Sequence, residues 1–270
     1  MHDAASGNQP RRERLKGDPN FARRQRVEPG SGWIPYCGPA PAPVDLLARW
    51  NFDPVLLAAF GLAIMASLRL RSADGRSRSL SAILLLAFLF ISPLCALTSA
   101  LFSARTLHHL VLTSIAAPLL AMAFAERRAA GGVALWTCLH AAALWSWHIP
   151  GAYAAALSDH AVYWTMQGSL LLTALALWRG VMAAPLPLAV TALLATMLQM
   201  GLLGALLTFS SVAVYSPHFI SSLAWGLTPL EDQQLAGLLM WVPGAGLYIA
   251  AVLFLLSRWF RQERDAAAAA

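Results

Sequence analysis

Residues 186–210 read LPLAVTALLATMLQMGLLGALLTFS, a run without a charged side chain that is long enough to cross a lipid bilayer. A helix of about 20 apolar residues can span the hydrocarbon core, because its own hydrogen bonds satisfy the backbone where no water can. Six further hydrophobic runs lie at approximately 54–70, 80–102, 106–125, 131–149, 160–178 and 235–257. The sequence therefore predicts an all-α, polytopic membrane helical bundle of about seven transmembrane helices, or six if the short first run does not span.

The composition agrees with a membrane protein. Of the 270 residues, 58% are hydrophobic and only 12% are charged, and the mean hydropathy is +0.59. A soluble domain carries roughly 25% charged residues, so the excess apolar surface is expected to face lipid. The net charge of +6 does not indicate nucleic-acid binding, since the basic residues lie in tails and short loops and form no face with interleaved aromatics.

The ends of the chain differ from its middle. Residues 1–45 are polar, basic and rich in Gly and Pro, which predicts a mostly disordered tail. A seven-helix transmembrane domain is expected over 46–262 and a short C-terminal tail over 263–270. The three cysteines, Cys37, Cys95 and Cys138, are far apart and form no CxxC motif, so no disulfide framework is expected.

Arginine placement predicts the orientation. With seven spans, ten arginines fall on one side of the membrane, and only Arg105 falls in the connecting loops of the other side. The ten are Arg69, Arg71, Arg76, Arg78, Arg127, Arg128, Arg179, Arg258, Arg261 and Arg264. The positive-inside rule makes that side cytoplasmic, which gives an N-out, C-in chain. The eight Lys or Arg before the first span oppose this orientation, but most lie too far from it for the rule to apply strongly.

Five of the seven histidines fall at the outer face in this topology. His108 and His109 open the third span, His148 closes the fourth, His160 opens the fifth, and His218 lies in the loop before the seventh. Imidazole suits copper, zinc and iron, and the thioether of Met166, roughly 9 Å deeper than His160, would favour Cu(I) over zinc. His108 and His109 lie about 100° apart around their helix, so only one of them is expected to face a common centre.

Structural interpretations stay open beside the functional ones. A histidine at a helix end commonly forms hydrogen bonds with water, and this interpretation is favoured for His160 and His218. His109 and His148 fit either interpretation. His140, about 12 Å below His148, could be a core hydrogen bonder, a haem ligand or part of a proton relay.

Three small groups in the last two spans have predicted roles. Met197 and Met200 are expected to fill the core, and Gly201, Gly204 and Ala205 to allow close helix contact. In the stretch Thr228–Gln234, Thr228, Pro229 and Glu231 form a capping box that begins the seventh helix. Asp232 and Gln233 are not needed by that cap and are candidate functional residues.

Several of these segments resemble the CtaG family, the multi-spanning cytochrome c oxidase assembly factor. The motifs that carry the resemblance are His108-His109-Leu110 followed by Ala117-Pro118-Leu119-Leu120, Trp147-His148-Ile149-Pro150 with Tyr153 and Ala156-Leu157, and Leu227-Thr228-Pro229-Leu230-Glu231-Asp232-Gln233-Gln234-Leu235-Ala236-Gly237 with Met240-Trp241-Val242-Pro243-Gly244. The resemblance covers about residues 50–260. The chain departs from the family pattern at Tyr163 and Gln167, where family members often carry His.

The resemblance implies a role in maturing a haem–copper oxidase in the bacterial cytoplasmic (inner) membrane, with the oxidase catalytic subunit or other assembly factors as partners. No Walker A motif, GxSxG motif or paired carboxylates indicate an enzyme. The expected cargo is Cu(I), and the candidate ligands are His109, His148, His108, His160, Met166, Asp232 and Gln233. A haem-binding redox protein using His109 and His140 and a copper transporter remain as alternatives.

Overall fold

The computed structural model describes residues 35–124 and 131–269. Within these two ranges the regular elements are helices, and no strand occurs. Each predicted hydrophobic run coincides with helix, so the all-helical prediction is confirmed. Residues 1–34 of the predicted tail, together with Arg127 and Arg128, lie outside the described residues.

The helices follow the chain in simple order. Helices α1 to α4 are Pro54–Leu68, Ala73–Ile91, Pro93–Ala100 and Phe102–Val111. A π-helical turn at Leu112–Ala116 leads into α5 at Ala117–Ala123, and α6 and α7 are Val133–Trp147 and Pro150–Ser158. Helices α8 to α10 are His160–Ala183, Leu186–Thr208 and Pro229–Ala269. Short 3-10 helices occupy Pro43–Ala48, Ser216–His218 and Ser221–Trp225.

Three helical stretches among the described residues are long and apolar enough to cross a membrane, namely Phe102–Ala123, Leu186–Thr208 and Pro229–Ala268. Helices α2 and α3 are bent by 50° relative to each other and make a fourth if they form one span. Helix α8 is long enough but less apolar, and α1 and α6, at roughly 22 Å each, are shorter than a hydrocarbon core of about 30 Å. The structure thus supports three or four spans, and the count of seven stays a prediction.

The third hydrophobic run contains a π-helical turn just before Pro118. Proline has no N–H to donate to the preceding turn, and π-turns are a common way for a helix to absorb such a break. The indole Nε1 of Trp178, on α8, donates to the carbonyl oxygen of Thr113 at 2.9 Å. The irregular turn therefore anchors α8 against the helix that carries the paired histidines.

The capping box at the start of α10 is confirmed. The backbone N and Oγ1 of Thr228 both lie 2.8 Å from Glu231 Oε2, and the backbone N of Glu231 donates to Thr228 Oγ1 at 3.2 Å. These reciprocal bonds satisfy backbone amides that have no partner within the helix. Glu231 therefore has the structural role that its spacing predicts.

The structure corrects the prediction for residues 35–45, which were assigned to the disordered tail. Cys37 forms a disulfide with Cys95 of α3, and Tyr36 stacks on Tyr163 of α8 with ring centroids 5.0 Å apart. The carbonyl of Pro41 accepts a hydrogen bond from Trp225 Nε1 at 3.1 Å. The expectation of no disulfide was wrong because both cysteines, 58 residues apart, come together only through the fold.

The C-terminal tail continues the last helix. Helix α10 continues through the predicted tail at 263–270 as far as Ala269. The residues there are Glu, Arg, Asp and a run of Ala, which are mostly strong helix formers. Once a long helix is nucleated, such residues extend it, because each added residue makes one more hydrogen bond.

Helices α9 and α10 touch through glycines. A Cβ at Gly204 would lie 2.7 Å from the carbonyl oxygen of Gly237, and a Cβ at Gly237 would lie 2.7 Å from the backbone N of Thr208. Real Cβ atoms do not approach backbone so closely, so both positions require glycine. The prediction of close contact at Gly204 is confirmed, whereas Gly201 has ordinary spacing to Trp241.

We expect Gly237→Ala to destabilise the bundle, although alanine favours helices by about 1 kcal/mol over glycine. The added methyl group has to push α9 away from α10, and overpacking of this kind costs about 1–3 kcal/mol. Thermal unfolding in detergent would measure the change. The matched control is Gly246→Ala, in the same helix with nothing within 4 Å of the new Cβ. Equal melting temperatures for the two variants would contradict this close contact.

Candidate functional site

Four buried histidines mark one end of the bundle, which we call the histidine end. His108, His109, His148 and His218 are each at most 7% exposed, and this end also contains the starts of α4 and α10 and the end of α6. The fifth outer histidine, His160, is exposed and makes an edge contact with the Tyr36 ring at 5.5 Å. Hence the structure buries four of the five histidines that the sequence placed at this face.

Asp232 joins α10 to the start of α4. Its carboxylate accepts hydrogen bonds from the backbone N of Phe102 at 2.7 Å, the backbone N of Ser103 at 3.1 Å and the hydroxyl of Ser103. The residue that precedes α4 is Leu101, which has no side chain able to cap the helix. The carboxylate therefore supplies the cap from another helix, and its negative charge faces the positive end of the α4 dipole.

Gln233 holds the loop that precedes α10. Its Oε1 accepts from the backbone N of Val214 at 2.8 Å, and its Nε2 donates to the carbonyl of Val212 at 3.1 Å. Gln234 adds a bond from Nε2 to the carbonyl of Ser210 at 3.1 Å. The polar residues that enter the last span thus fix a neighbouring loop, and sequence alone did not distinguish this role from metal binding.

Phe102 is at the centre of an aromatic cluster at the histidine end. Its ring stacks on Tyr215 with centroids 3.8 Å apart and makes an edge contact with Tyr153 at 5.2 Å. The rings of His148 and His218 lie 6.1 and 6.2 Å from it. The cluster brings together residues of α4, α7, the end cap of α6 and the loop before α10, which are far apart in the chain.

His148 has a defined tautomer. Its Nδ1 lies 2.7 Å from the carbonyl oxygen of Leu144, which can only accept, so Nδ1 carries the proton. In the neutral ring, Nε2 therefore has a free lone pair, the form in which histidine binds metals. His148 in turn is held by Tyr215, whose hydroxyl donates to the His148 carbonyl at 2.8 Å.

His109 and His108 point to different neighbours, as their spacing predicts. His109 is close enough to His148 for their charges to interact, and its Nε2 is buried without a hydrogen-bond partner among the described residues. His108 makes an edge contact with Phe90 of α2 at 4.9 Å, and its ring is nearly perpendicular to that of His109. Of the two rings, His109 is the one on which His148 acts electrostatically.

The remaining predicted ligands and His140 have other recorded contacts. Met166 is fully buried in the hydrophobic core, and no ring contact or hydrogen bond of the described residues links His160 to the buried histidines. His140 Nδ1 lies 3.0 Å from the hydroxyl of Thr173, in line with a core hydrogen bonder. Over the described ranges, no group of three or more His, Cys, Asp or Glu side chains is arranged to hold a metal ion.

Arg105 is the residue that sequence reasoning missed. The hydrophobic runs predict a loop position for it, but it lies inside α4, one turn before His109, and is 1% exposed. Its Nη2 donates to the carbonyl of Thr98 at 3.2 Å, and its guanidinium carbon lies 5.3 Å from the centre of the Tyr163 ring. Nε and Nη1 find no acceptor among the described residues. A single arginine in the three residues between two apolar runs was the available signal, because buried charges are costly and commonly functional.

His218 and Tyr153 form a short hydrogen bond beside this arginine. The Tyr153 hydroxyl lies 2.6 Å from His218 Nε2. Burial away from water, reinforced by the positive charge of Arg105, lowers the pKa of His218 to about 3. The ring is therefore neutral at physiological pH.

We expect Asp232→Ala to destabilise the protein by about 3 kcal/mol, because two backbone amides and one hydroxyl lose a charged acceptor. Asp232→Asn, which keeps one acceptor oxygen, should lose less. Unfolding in detergent would measure both, with Asp265→Ala as the control because Asp265 is exposed near the end of α10. If the Asp232 and Asp265 variants unfold alike, the proposed capping role is wrong.

We also expect His218 to make the protein less stable in acid. The unfolded ring takes up a proton below a pH of about 6.5, whereas the folded ring does so only near its lowered pKa. Stability should therefore fall as the pH drops below about 6.5, by up to about 1.4 kcal/mol per pH unit from this residue. The test compares melting temperatures of wild type and His218→Gln at about pH 7 and about pH 5. The variant should lose less stability, and parallel curves would contradict the assignment.

Comparison with known proteins agrees with this architecture. Residues 128–262, which contain α6 to α9 and most of α10, match the family model described as cytochrome c oxidase caa3 assembly factor (Caa3_CtaG). No curated protein and no solved structure shows a match to the chain. The matched region is half of the chain and includes His148, His218 and Asp232. The chain belongs to the family of cytochrome c oxidase caa3 assembly factors.

Proposed function

We propose that this protein is a non-enzymatic, multi-pass assembly factor of the bacterial cytoplasmic membrane that serves the catalytic subunit of a haem–copper cytochrome c oxidase. Membership of the Caa3_CtaG family carries the proposal. The apolar helices support a location in the membrane. The buried polar residues of the histidine end support this end as the place of action, since such residues are costly within a membrane and mark functional sites.

Two observations support an N-out, C-in orientation with the histidine end outside. Arg105, the one basic residue assigned to the outer connecting loops, is buried inside α4, so it is not a loop charge. The Cys37–Cys95 disulfide lies near Tyr163, whose hydroxyl is 3.6 Å from Cys37 Sγ, and Tyr163 contacts Arg105. Disulfides persist in oxidising compartments and are rare in the cytosol.

The finer part of the proposal concerns Cu(I) as cargo. His109 and His148 would hold the ion between their Nε2 atoms for a short time and then release it to the oxidase. The lone pair on His148 Nε2 and the unpartnered Nε2 of His109 support this pair. Imidazole is a ligand for copper in proteins. With only two ligands, the ion would stay accessible to a stronger site on the partner.

The charge of Arg105 would keep this binding weak. It lies close enough to His109 to act on it electrostatically, and its guanidinium has no carboxylate partner among the described residues. A like charge nearby in a medium of low dielectric constant raises the free energy of a bound cation. Weak binding suits a protein that passes its cargo on.

The test is Cu(I) binding to the purified protein under reducing conditions. We expect His109→Ala and His148→Ala each to lower the affinity at least roughly tenfold, a loss of about 1.4 kcal/mol. His160→Ala is the matched control, because His160 is at the same end but exposed, and its ring contacts Tyr36. Undiminished binding in the double variant would remove the metal role and leave scaffolding of the oxidase subunit.

Three further measurements separate the alternatives. Deleting the gene and assaying oxidase activity with and without added copper distinguishes delivery from scaffolding, since rescue by copper favours delivery. A haem-binding redox protein would show a Soret band, whereas an assembly factor without haem is colourless. Copper uptake into vesicles that contain the purified protein would instead favour transport.

A further inference from the structure

A large cavity lies at the end of the bundle opposite the histidines. It is bordered by α2, α5, the last turns of α8, the start of α9 and the second half of α10, it is open on one side, and its volume is about 800 Å³. Cavities of this size match those that take small organic ligands and cofactors. The oxidase role proposed above does not account for it.

The walls of this cavity are apolar. Met122 of α5, Val181 of α8 and Leu247, Ala251 and Leu255 of α10 line it. Such a surface accepts hydrocarbon but offers few hydrogen bonds to a sugar, a nucleobase or a peptide. The inner part of the cavity therefore fits an acyl chain.

The polar lining includes two arginines. Arg78 of α2 and Arg258 of α10 both line the cavity and are exposed, and Gln262 lies one turn beyond Arg258. Arg78 has only a weak, exposed ion pair with Asp74 at 4.0 Å, and the contact of Arg258 is with the Phe254 ring at 5.9 Å. Among the described residues, Arg258 has no carboxylate within ion-pair distance, and the Asp74 carboxylate lies only at the limit of that distance from Arg78. Guanidinium groups bind phosphate through paired hydrogen bonds.

Two tryptophans border the same cavity. Trp178 is buried, with its indole N–H already bonded to Thr113, so it presents only a ring face. Trp259 is 41% exposed beside Arg258. Tryptophan is enriched where lipid headgroups meet the hydrocarbon core, which places the arginines at headgroup depth.

We propose that this cavity binds an anionic glycerophospholipid, with an acyl chain between α5, α8 and α10 and the headgroup phosphate between Arg78 and Arg258. The charge explains the choice of occupant. A neutral hydrocarbon would make no ionic contact with the two arginines. A soluble phosphate compound would leave the apolar walls exposed to water. Anionic lipids are concentrated in the cytoplasmic leaflet, where an arginine-rich end is expected to lie.

Native mass spectrometry of the full chain in a neutral detergent tests the proposal. The protein is mixed with phosphatidylglycerol or phosphatidylcholine, and bound lipid is counted. We expect the wild type to retain phosphatidylglycerol preferentially. Each arginine near an anionic headgroup contributes roughly fivefold, so Arg78→Gln with Arg258→Gln should weaken retention by about thirtyfold.

The matched control is Arg76→Gln with Arg264→Gln, which removes the same charge from exposed positions that do not line the cavity. This control should retain the lipid.

Two further variants distinguish loss of the lipid site from misfolding of the protein. Arg78→Lys with Arg258→Lys keeps the charge and should bind at least partly, and Ala251→Trp fills the cavity and should exclude the lipid while both arginines remain.

Three results would overturn the proposal. One is equal retention of phosphatidylglycerol and phosphatidylcholine by the wild type. Another is equal loss of phosphatidylglycerol in the two glutamine double variants, which would indicate general surface charge. The third is full binding by Ala251→Trp, which would place the lipid outside the cavity.

Discussion

The first amides of a helix inside a membrane need acceptors, because neither the helix nor the lipid supplies them. At the start of α4 that acceptor is the carboxylate of Asp232, which belongs to a helix 130 residues further along the chain. The interaction fixes α4 against α10 and thereby sets the direction in which His109 faces. It also positions Phe102, around which Tyr153, Tyr215, His148 and His218 pack. The geometry of the histidine end depends on the hydrogen bonds from the Phe102 and Ser103 amides to the Asp232 carboxylate.

The sequence predicted the parts of the molecule that local physics determines. The hydrophobic runs predicted the helices, and the spacing of Thr228 and Glu231 predicted the capping box. The small residues of α9 predicted the close helix contact at Gly204. The parts it missed depend on residues that meet only in the fold. The Cys37–Cys95 bond and the cap formed by Asp232 are examples, since no local pattern distinguishes a capping carboxylate from a ligand. The number of transmembrane spans also cannot be predicted from local sequence, because a short helix such as α1 can lie against its neighbours without crossing the bilayer.

The two ends of the bundle differ in how they handle charge. At the histidine end, a guanidinium is buried among imidazoles and tyrosines, with one hydrogen bond to a carbonyl. At the other end, the arginines are exposed and line an open cavity with apolar walls. A buried cation sets the electrostatic potential of a small enclosed site, whereas exposed cations attract ligands that arrive from a surface. The same residue type therefore serves two purposes in one chain.

The contact between Gly204 and Gly237 limits how the molecule can rearrange. With backbone against backbone, α9 and α10 leave no gap that side chains could refill, so separating them would open a void along both helices. These two helices are thus expected to move together as one rigid unit. Any motion that opens the histidine end must displace α4, α6 or the loop before α10, while the contact between Gly204 and Gly237 stays closed.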